Sequence, residues 1–142
     1  MDKQEALRGS RLLASLGDKS LASLVSVVKE RRYGPGDLII QAGTEGIAAM
    51  HVVLEGSVSV ERDGAQLATL GPGAHIGEMS MLSPDPLPRS ADVVSVGETT
   101  TLQITRWDLM PFLKEDPEVA LAVIGELAKR LADANERLAQ SS

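Results

Sequence analysis

Two short stretches near the middle of the chain combine residue types that can bind a phosphate and a sugar. Gly77 and Glu78 open a run of good helix formers, and the free N–H groups at a helix start can face an anion. Arg89 follows a proline-rich loop, and its guanidinium can donate two parallel hydrogen bonds to phosphate oxygens. Ser90 adds a hydroxyl donor, whereas the Glu78 carboxylate can accept from a sugar hydroxyl. These residues suit a molecule with both a phosphate and a vicinal hydroxyl.

Other kinds of chemistry find little support in the sequence. The chain has no cysteine and two histidines, His51 and His75, so we expect no metal site. Ser80 has no histidine near it in sequence, which argues against a nucleophile. We therefore expect neither enzymatic activity nor a cofactor. His75 is expected to be a surface or packing residue, and His51 a hydrogen-bonded residue inside an apolar strand.

The composition is that of an acidic domain of ordinary size. The 142 residues are 43% hydrophobic, which allows a buried core without disulfides, and the formal net charge is −6. An acidic chain binds phosphate backbones poorly, so we expect no nucleic acid partner. The N-terminus is charged, and no apolar run of ~20 residues occurs. The sequence thus predicts a cytoplasmic domain that does not enter a membrane.

The spacing of apolar residues divides residues 1–142, which we expect to form a single domain, into three zones. Helical spacing predicts N-terminal helices over about 10–32 and C-terminal helices over about 106–140. Between them, over about 33–105, glycine and proline punctuation predicts a β sandwich or barrel, so the fold is mainly β with flanking helices. The expected strands are Asp37–Ala42, Ala48–Leu54, Ser57–Glu61, Gln66–Leu70, Ala91–Val96 and Thr99–Ile104.

Local signals mark particular turns and helix starts. Asp63 and Gly64 tolerate positive φ and predict a hairpin turn. Thr105 and Asp108 are spaced as a capping box for a short helix. Asp116 and Pro117 then predict the cap and first position of a longer helix.

An ordered set of motifs resembles the cyclic-nucleotide-binding domain family, which includes catabolite activator proteins, regulatory subunits of the cyclic-AMP-dependent kinase and nucleotide-gated channels. Ile76–Glu78 and Pro88–Ala91 match the two ends of the family's phosphate-binding cassette. Tyr33–Asp37 looks like the family's first turn, and Leu70–Gly73 precedes the cassette at the usual place. The resemblance covers nearly the whole chain and implies a β-roll or jelly-roll barrel with helices at both ends.

The resemblance also implies a ligand and its contacts. The ligand would be a cyclic nucleotide, with cyclic AMP favoured over cyclic GMP because some cyclic-GMP-selective relatives place threonine where Ser90 stands. Glu78 would bind the ribose 2′-hydroxyl, and Arg89 with Ser90 would bind the cyclic phosphate. The other residues expected at the site, mainly on the phosphate side, are Gly77, Met79, Ser80 and Ala91.

The chain departs from the family pattern at three places. Ile76 replaces the usual aromatic residue before Gly-Glu, which we expect to affect packing only. Asp92 stands where many relatives have a small or hydroxyl residue, and an acid there is expected to weaken phosphate binding. The loop between Leu82 and Arg89 is about a residue longer than is common, a difference that bears on the geometry of the site.

Two functions remain open from the sequence. In the first, the long C-terminal helix covers the base and relays binding to an unknown effector protein. The residues expected to form this lid are Leu127, Arg130 and Leu131, with the Arg130 guanidinium stacked on the base. In the second, the domain binds no nucleotide, Glu78 and Arg89 form an internal ion pair, and the surface recognises another protein.

The C-terminal helix also bears on the partners of the chain. Its apolar stripe can support a homodimer as well as core packing. Many relatives carry a helix-turn-helix beyond this helix, whereas the sequence here stops at Ser142. We therefore expect no DNA contact from this chain.

Overall fold

Alternating apolar residues and glycine turns build two antiparallel sheets from the middle of the chain. The computed structural model describes residues 1–43, 49–83 and 89–141. The strands in these ranges are β1 (Lys29–Tyr33), β2 (Leu38–Ile40), β3 (Ala49–Glu55), β4 (Val58–Arg62), β5 (Ala65–Leu70), β6 (His75–Ile76), β7 (Asp92–Ser95) and β8 (Thr99–Thr105). The helices are α1 (Lys3–Gly9), α2 (Asp18–Val25), α3 (Glu78–Leu82), α4 (Arg106–Glu115) and α5 (Pro117–Gln140).

The two sheets face each other and enclose a small apolar core. One has the strand order β1-β8-β3-β6 and the other β2-β7-β4-β5, with antiparallel neighbours throughout. Side chains from both sheets meet between them, namely Ile40, Val53, Val58, Ile76 and Val93. This jelly-roll-like arrangement with helices at both ends confirms the expected fold.

A second, larger core joins the helices to the outer face of one sheet. Successive residues of a strand point to opposite faces, so Val53 packs between the sheets while Val52 packs against the helices. Every residue of β3 except Glu55 is buried, as expected for a strand covered on both faces. From α5, Val119 and Val123 enter this core. The two sheets, together called the β-body below, carry the site. The first half of α5 is therefore fixed on this β-body.

Several local predictions are confirmed by the backbone. Asp63 and Gly64 both have positive φ, 52° and 80°, as a type I′ hairpin turn requires. Thr105 and Asp108 form a reciprocal capping box, and Asp116 accepts from the N–H of Glu118 at the start of α5. The expected strands between 37 and 104 all occur with small shifts at their ends, although Ala48 lies outside the described residues. None of the helices in the described ranges is long and apolar enough to cross a membrane.

The prediction of helix over residues 10–32 is wrong at both ends. Helix α1 begins earlier, at Lys3, and the chain from Ser10 to Leu16 forms successive tight turns whose leucines are nevertheless buried. Lys29–Tyr33 is an edge strand, paired with β8 along its whole length. Its charged residues are good helix formers, but charged side chains also suit an exposed edge strand, and tertiary pairing decides the outcome. The expected strands also do not include β6, which has only two residues.

Candidate functional site

Five of the residues predicted to bind a ligand line one cavity of about 200 Å³. These residues come from the two ends of the expected cassette and are Gly77, Glu78, Arg89, Ser90 and Ala91. The rest of the wall is mostly apolar and is formed by Ile40, Val60, His75, Ile76 and Val93. The fold thus brings together a carboxylate, a guanidinium and a hydroxyl in a partly apolar concavity, which is the usual composition of a small-molecule site.

Gly77 shapes the floor of this cavity. Its φ is 80°, in the left-handed region that favours glycine, and it caps the N-terminus of α3. A Cβ added at this position would lie 2.7 Å from Nη1 of Arg89 and 3.2 Å from the carbonyl oxygen of Ala49. Glycine is therefore required here by the backbone conformation and by the closely packed guanidinium.

Arg89 is held by the main chain on two sides. Its Nη1 donates to the carbonyl of Gly77 at 3.0 Å, and its Nη2 donates to the carbonyl of Ala49 at 3.1 Å. Burial lowers the pKa of the Arg89 guanidinium, while the nearby Glu78 carboxylate acts in the opposite direction. An arginine remains charged in spite of such a shift, so the cavity holds a fixed, preorganised cation.

Hydrogen bonds from the residues after β2 and from Arg62 of β4 fix the segment that carries Arg89 and Ser90. Asp92 accepts from the N–H of Ala42 at 2.7 Å, and the N–H of Gly43 donates to the carbonyl of Arg89 at 2.8 Å. Arg62 donates from Nε to the carbonyl of Ser90 at 2.9 Å. The carboxylate of Asp92, an unusual residue for this pattern, thus helps to hold the loop beside the cavity. Its expected effect on phosphate affinity stays a prediction.

Glu78 forms an ion pair with a residue of the long C-terminal helix. Arg130 donates from Nη1 to Oε1 of Glu78, whose side chain is only 15% exposed. The same guanidinium donates from Nη2 to Nε2 of His75 at 2.6 Å. Of the three residues predicted as a lid, Arg130 therefore contacts the cassette directly, but through hydrogen bonds to a carboxylate and an imidazole. Leu127 packs against the helical core, and Leu131 is 62% exposed.

Two predicted site residues lie away from the cavity wall. Met79 is 58% exposed, and the Ser80 side chain is buried at 8% exposure. Neither contributes to the lining of the cavity. His75, expected to be a packing or surface residue, lines the cavity, and both of its ring nitrogens are hydrogen bonded.

A larger groove of about 470 Å³ lies at another place, where β1 and β3 end and β8 begins. It is lined by Arg32, Tyr33, Gly34, Glu55, Glu98, Thr99 and Thr100. Its two carboxylates make it poorly suited to a phosphate. The smaller cavity around Arg89 is therefore the better candidate for an anionic ligand.

Comparison with known proteins identifies the family to which the chain is similar. The family described as cyclic nucleotide-binding domain matches residues 30–116. The cyclic AMP receptor protein of Thermus thermophilus is 35% identical over 137 residues, which are 93% of this chain and 62% of that protein. The chain spans between 20% and 62% of the length of three curated relatives that it matches.

Solved structures give the same result. The N-terminal domain of a transcriptional regulator from Streptomyces coelicolor A3(2) has 36% sequence identity and a TM-score of 0.79, with 94% of each chain covered. The regulatory domain of Toxoplasma gondii PKA, crystallised with cAMP, has 25% identity and a TM-score of 0.68 over 78% of this chain and 45% of that chain. Because the family match spans more than half of the sequence and the fold agrees, the chain belongs to the cyclic nucleotide-binding domain family.

Proposed function

We propose that this domain binds cyclic AMP in the cavity around Arg89 and acts as a regulatory module. In this proposal Arg89 and Ser90 bind the cyclic phosphate, and Glu78 binds the ribose 2′-hydroxyl. The backbone of Gly77, Met79 and Ser80 supports the phosphate side. Ala91 completes the wall of the cavity.

The observation that supports this proposal most strongly is the fixed guanidinium of Arg89 beside Gly77. Two main-chain carbonyls orient the guanidinium before any ligand arrives, so little side-chain freedom remains to be lost on binding. Glu78 lines the same cavity and offers an acceptor for a hydroxyl. A cavity of about 200 Å³ is below the usual range for whole ligands, about 300–1,000 Å³, and suits the phosphate and ribose with the base outside.

The base would then lie toward α5, which provides a route for the signal. Arg130 joins this helix to Glu78, so a ligand that engages Glu78 also acts on the attachment of α5. A ligand shifts an equilibrium only by the difference between its affinities for two states. The two states here are α5 attached and α5 moved, and they differ in the ion pair between Arg130 and Glu78. We expect the movement of α5 to be recognised by an effector protein.

Calorimetric titration with cyclic AMP, cyclic GMP and linear 5′-AMP tests the proposal. We expect saturable binding of one cyclic AMP per chain, weaker binding of cyclic GMP and no measurable binding of 5′-AMP. The linear nucleotide is the control, because it has the same base and sugar but a more highly charged phosphate. Absence of binding to both cyclic nucleotides would overturn the proposal.

A ligand-free interaction domain is the second candidate, and one observation favours it. Both charged groups of the cavity already have protein partners, since Glu78 pairs with Arg130 and Arg89 binds two carbonyls. A degenerate relative would keep such contacts to stabilise the fold. In that case the titrations show no binding for the wild-type chain, and the only effect of removing Arg89 is a lower free energy of unfolding.

The exposed stripe of α5 supports a homodimer as part of the proposed function. Leu121, Ile124, Leu131 and Leu138 are between 60% and 68% exposed. Together with Ala128 and Asn135, they follow the alternating spacing of the seam positions of a heptad repeat. A single asparagine at such a seam favours a defined two-stranded register. We expect two copies of α5 to pair along this stripe.

Sedimentation or light-scattering measurements test the dimer. Leu131→Glu places a charge in the seam and should convert a dimer into a monomer. Ala122→Glu adds the same charge on an exposed position outside the seam and should leave the dimer intact. A monomeric wild-type chain at high concentration would contradict this part of the proposal.

The same cavity argues for a binding module rather than an enzyme. Its described lining offers one carboxylate, one cation and one hydroxyl, which serve as recognition groups in this proposal, and the imidazole of His75, whose two ring nitrogens are both hydrogen bonded to Ser10 and Arg130. The cytoplasmic location stays a prediction from the sequence.

A further inference from the structure

His75 lies where three parts of the chain meet. It belongs to β6 and pairs with Val52 of β3, while its ring contacts the segment after α1 and the helix α5. Nε2 of the ring lies 2.6 Å from Nη2 of Arg130, and Nδ1 lies 2.8 Å from Oγ of Ser10. An imidazole at this position connects the N-terminal segment to the residue that pairs with Glu78.

The partners of the ring determine which nitrogen carries the proton. An arginine side chain only donates hydrogen bonds, so Nε2 must be the unprotonated acceptor. The single proton of the neutral ring is then on Nδ1 and is donated to Ser10. Protonation of Nε2 would remove the acceptor and place two cations at hydrogen-bonding distance.

The charges around His75 come from every side. Arg130 and Glu126 face it from α5, Glu78 from α3, and Arg11 from the segment after α1. Arg130 and Arg11 both approach Glu126, with N–O distances of 3.8 Å and 3.9 Å. Burial is the main cause that lowers the pKa of His75; the positive charges of Arg130 and Arg11 also lower it, and the two carboxylates raise it. The neutral ring is thus the form that the folded site favours.

We propose that neutral His75 is the positioning residue that holds Arg130 on Glu78, and that protonation of His75 releases α5 from the cassette. Any consequence for nucleotide binding through Glu78 rests on the proposed function, whereas the release of α5 does not. Because the folded site favours the neutral ring, release requires a pH below the ordinary histidine pKa of about 6.5. Acidification then shifts the domain toward the state in which α5 is detached.

Two measurements without any nucleotide test this inference. Nitrogen chemical shifts of the imidazole should show the Nδ1–H form for His75 at about pH 7.5. Hydrogen exchange of residues 126–138, corrected for the intrinsic effect of pH, should become about tenfold faster at about pH 5 than at about pH 7.5. His75→Gln should abolish this acceleration, because its amide does not titrate, can accept from Arg130 and can donate to Ser10.

The controls separate this inference from a general loss of stability and from the proposed function. His51→Gln removes the other histidine and should keep the acid-induced release of α5. An Nε2–H form of His75, or the same release in the His75→Gln variant, would overturn the inference. If no nucleotide binds but release depends on His75, only the proposed function fails. If cyclic AMP binds and release does not depend on His75, only this inference fails.

Discussion

The charged residues of the cavity are predictable by type, but their partners are not. Gly77, Glu78 and Arg89 stand out because their chemistry suits a phosphate and a sugar. The pairing of Glu78 with Arg130 joins residues far apart in the chain, and no local pattern indicates it. The same holds for Asp92, whose bond to the N–H of Ala42 depends on the meeting of β7 with the end of β2. Sequence motifs thus predict recognition groups, and only the fold shows what holds them.

Removal of the charge of Glu78 should weaken cyclic AMP binding and reduce ribose selectivity. A hydrogen bond to a charged group is worth about 1.5–3 kcal/mol, so Glu78→Gln should cost roughly tenfold or more in affinity. The preference for cyclic AMP over its 2′-deoxy analogue should narrow, because the carboxylate that accepts from the 2′-hydroxyl is lost. Calorimetry with both nucleotides measures the two effects.

Glu126→Gln is the matched control for this variant. Glu126 also approaches Arg130, but it does not line the cavity. We expect this control to keep the wild-type margin between the two nucleotides. A Glu78→Gln variant that keeps the same margin would show that Glu78 does not bind the ribose.

The two halves of helix α5 differ in the burial of their side chains. Its first half places Val119 and Val123 in the core, whereas every described residue from Leu131 onward is exposed. The exposed half makes few apolar contacts with the β-body, so it belongs to the least stable part of the domain. An element of this kind can change its position without unfolding the sheets.

Hydrogen exchange with and without cyclic AMP tests the role of α5. Ligand should increase protection in residues 77–83 and also in residues 127–138, because the base contacts the helix. Truncation after Gly125 should then reduce the affinity for cyclic AMP. If protection is confined to the cassette and the truncated chain binds as well as the full chain, α5 is a packing or dimer helix and not a lid.

The elements also differ in how well the sequence predicts them. The strands from β2 to β8, apart from β6, are predictable from short apolar segments between turn residues. Helices α4 and α5 are predictable from their caps. Strand β1 is missed because its charged residues are also good helix formers. The turns after Ser10 are missed because helical spacing of leucines also fits a chain that buries them through consecutive turns. Tertiary contacts, which the sequence pattern does not contain, decide between the two.

At the scale of the whole molecule, one buried histidine couples stability to pH. His51 lies in β3, and its Nδ1 is 2.9 Å from Oγ1 of Thr101. Burial, together with the positive charges of Arg89 and Arg31, lowers the pKa of His51 to about 4. The unfolded chain therefore binds a proton more readily than the folded domain in the range between the two pKa values.

The free energy of unfolding should consequently fall as the pH decreases from about 6.5 toward about 4. The difference between the two pKa values corresponds to about 3 kcal/mol for this group. Urea unfolding at several pH values measures the slope, and His51→Gln should reduce it. His75→Gln is the companion variant, because the pKa of His75 is also lowered. An unchanged slope in both variants would assign the pH dependence to other groups.

The affinity of the Arg89→Ala variant for cyclic AMP tests the central claim most directly. Loss of a preorganised cation that binds the phosphate should weaken binding ~100-fold or more, while circular dichroism shows a folded domain. Arg31→Ala is the control, since Arg31 is bonded to Gln103 on the β1–β8 pair and lies outside the cavity. We predict that Arg31→Ala binds cyclic AMP with wild-type affinity and that Arg89→Ala binds it ~100-fold more weakly or not at all. Equal affinities of the two variants would contradict the assignment of this cavity as the nucleotide site.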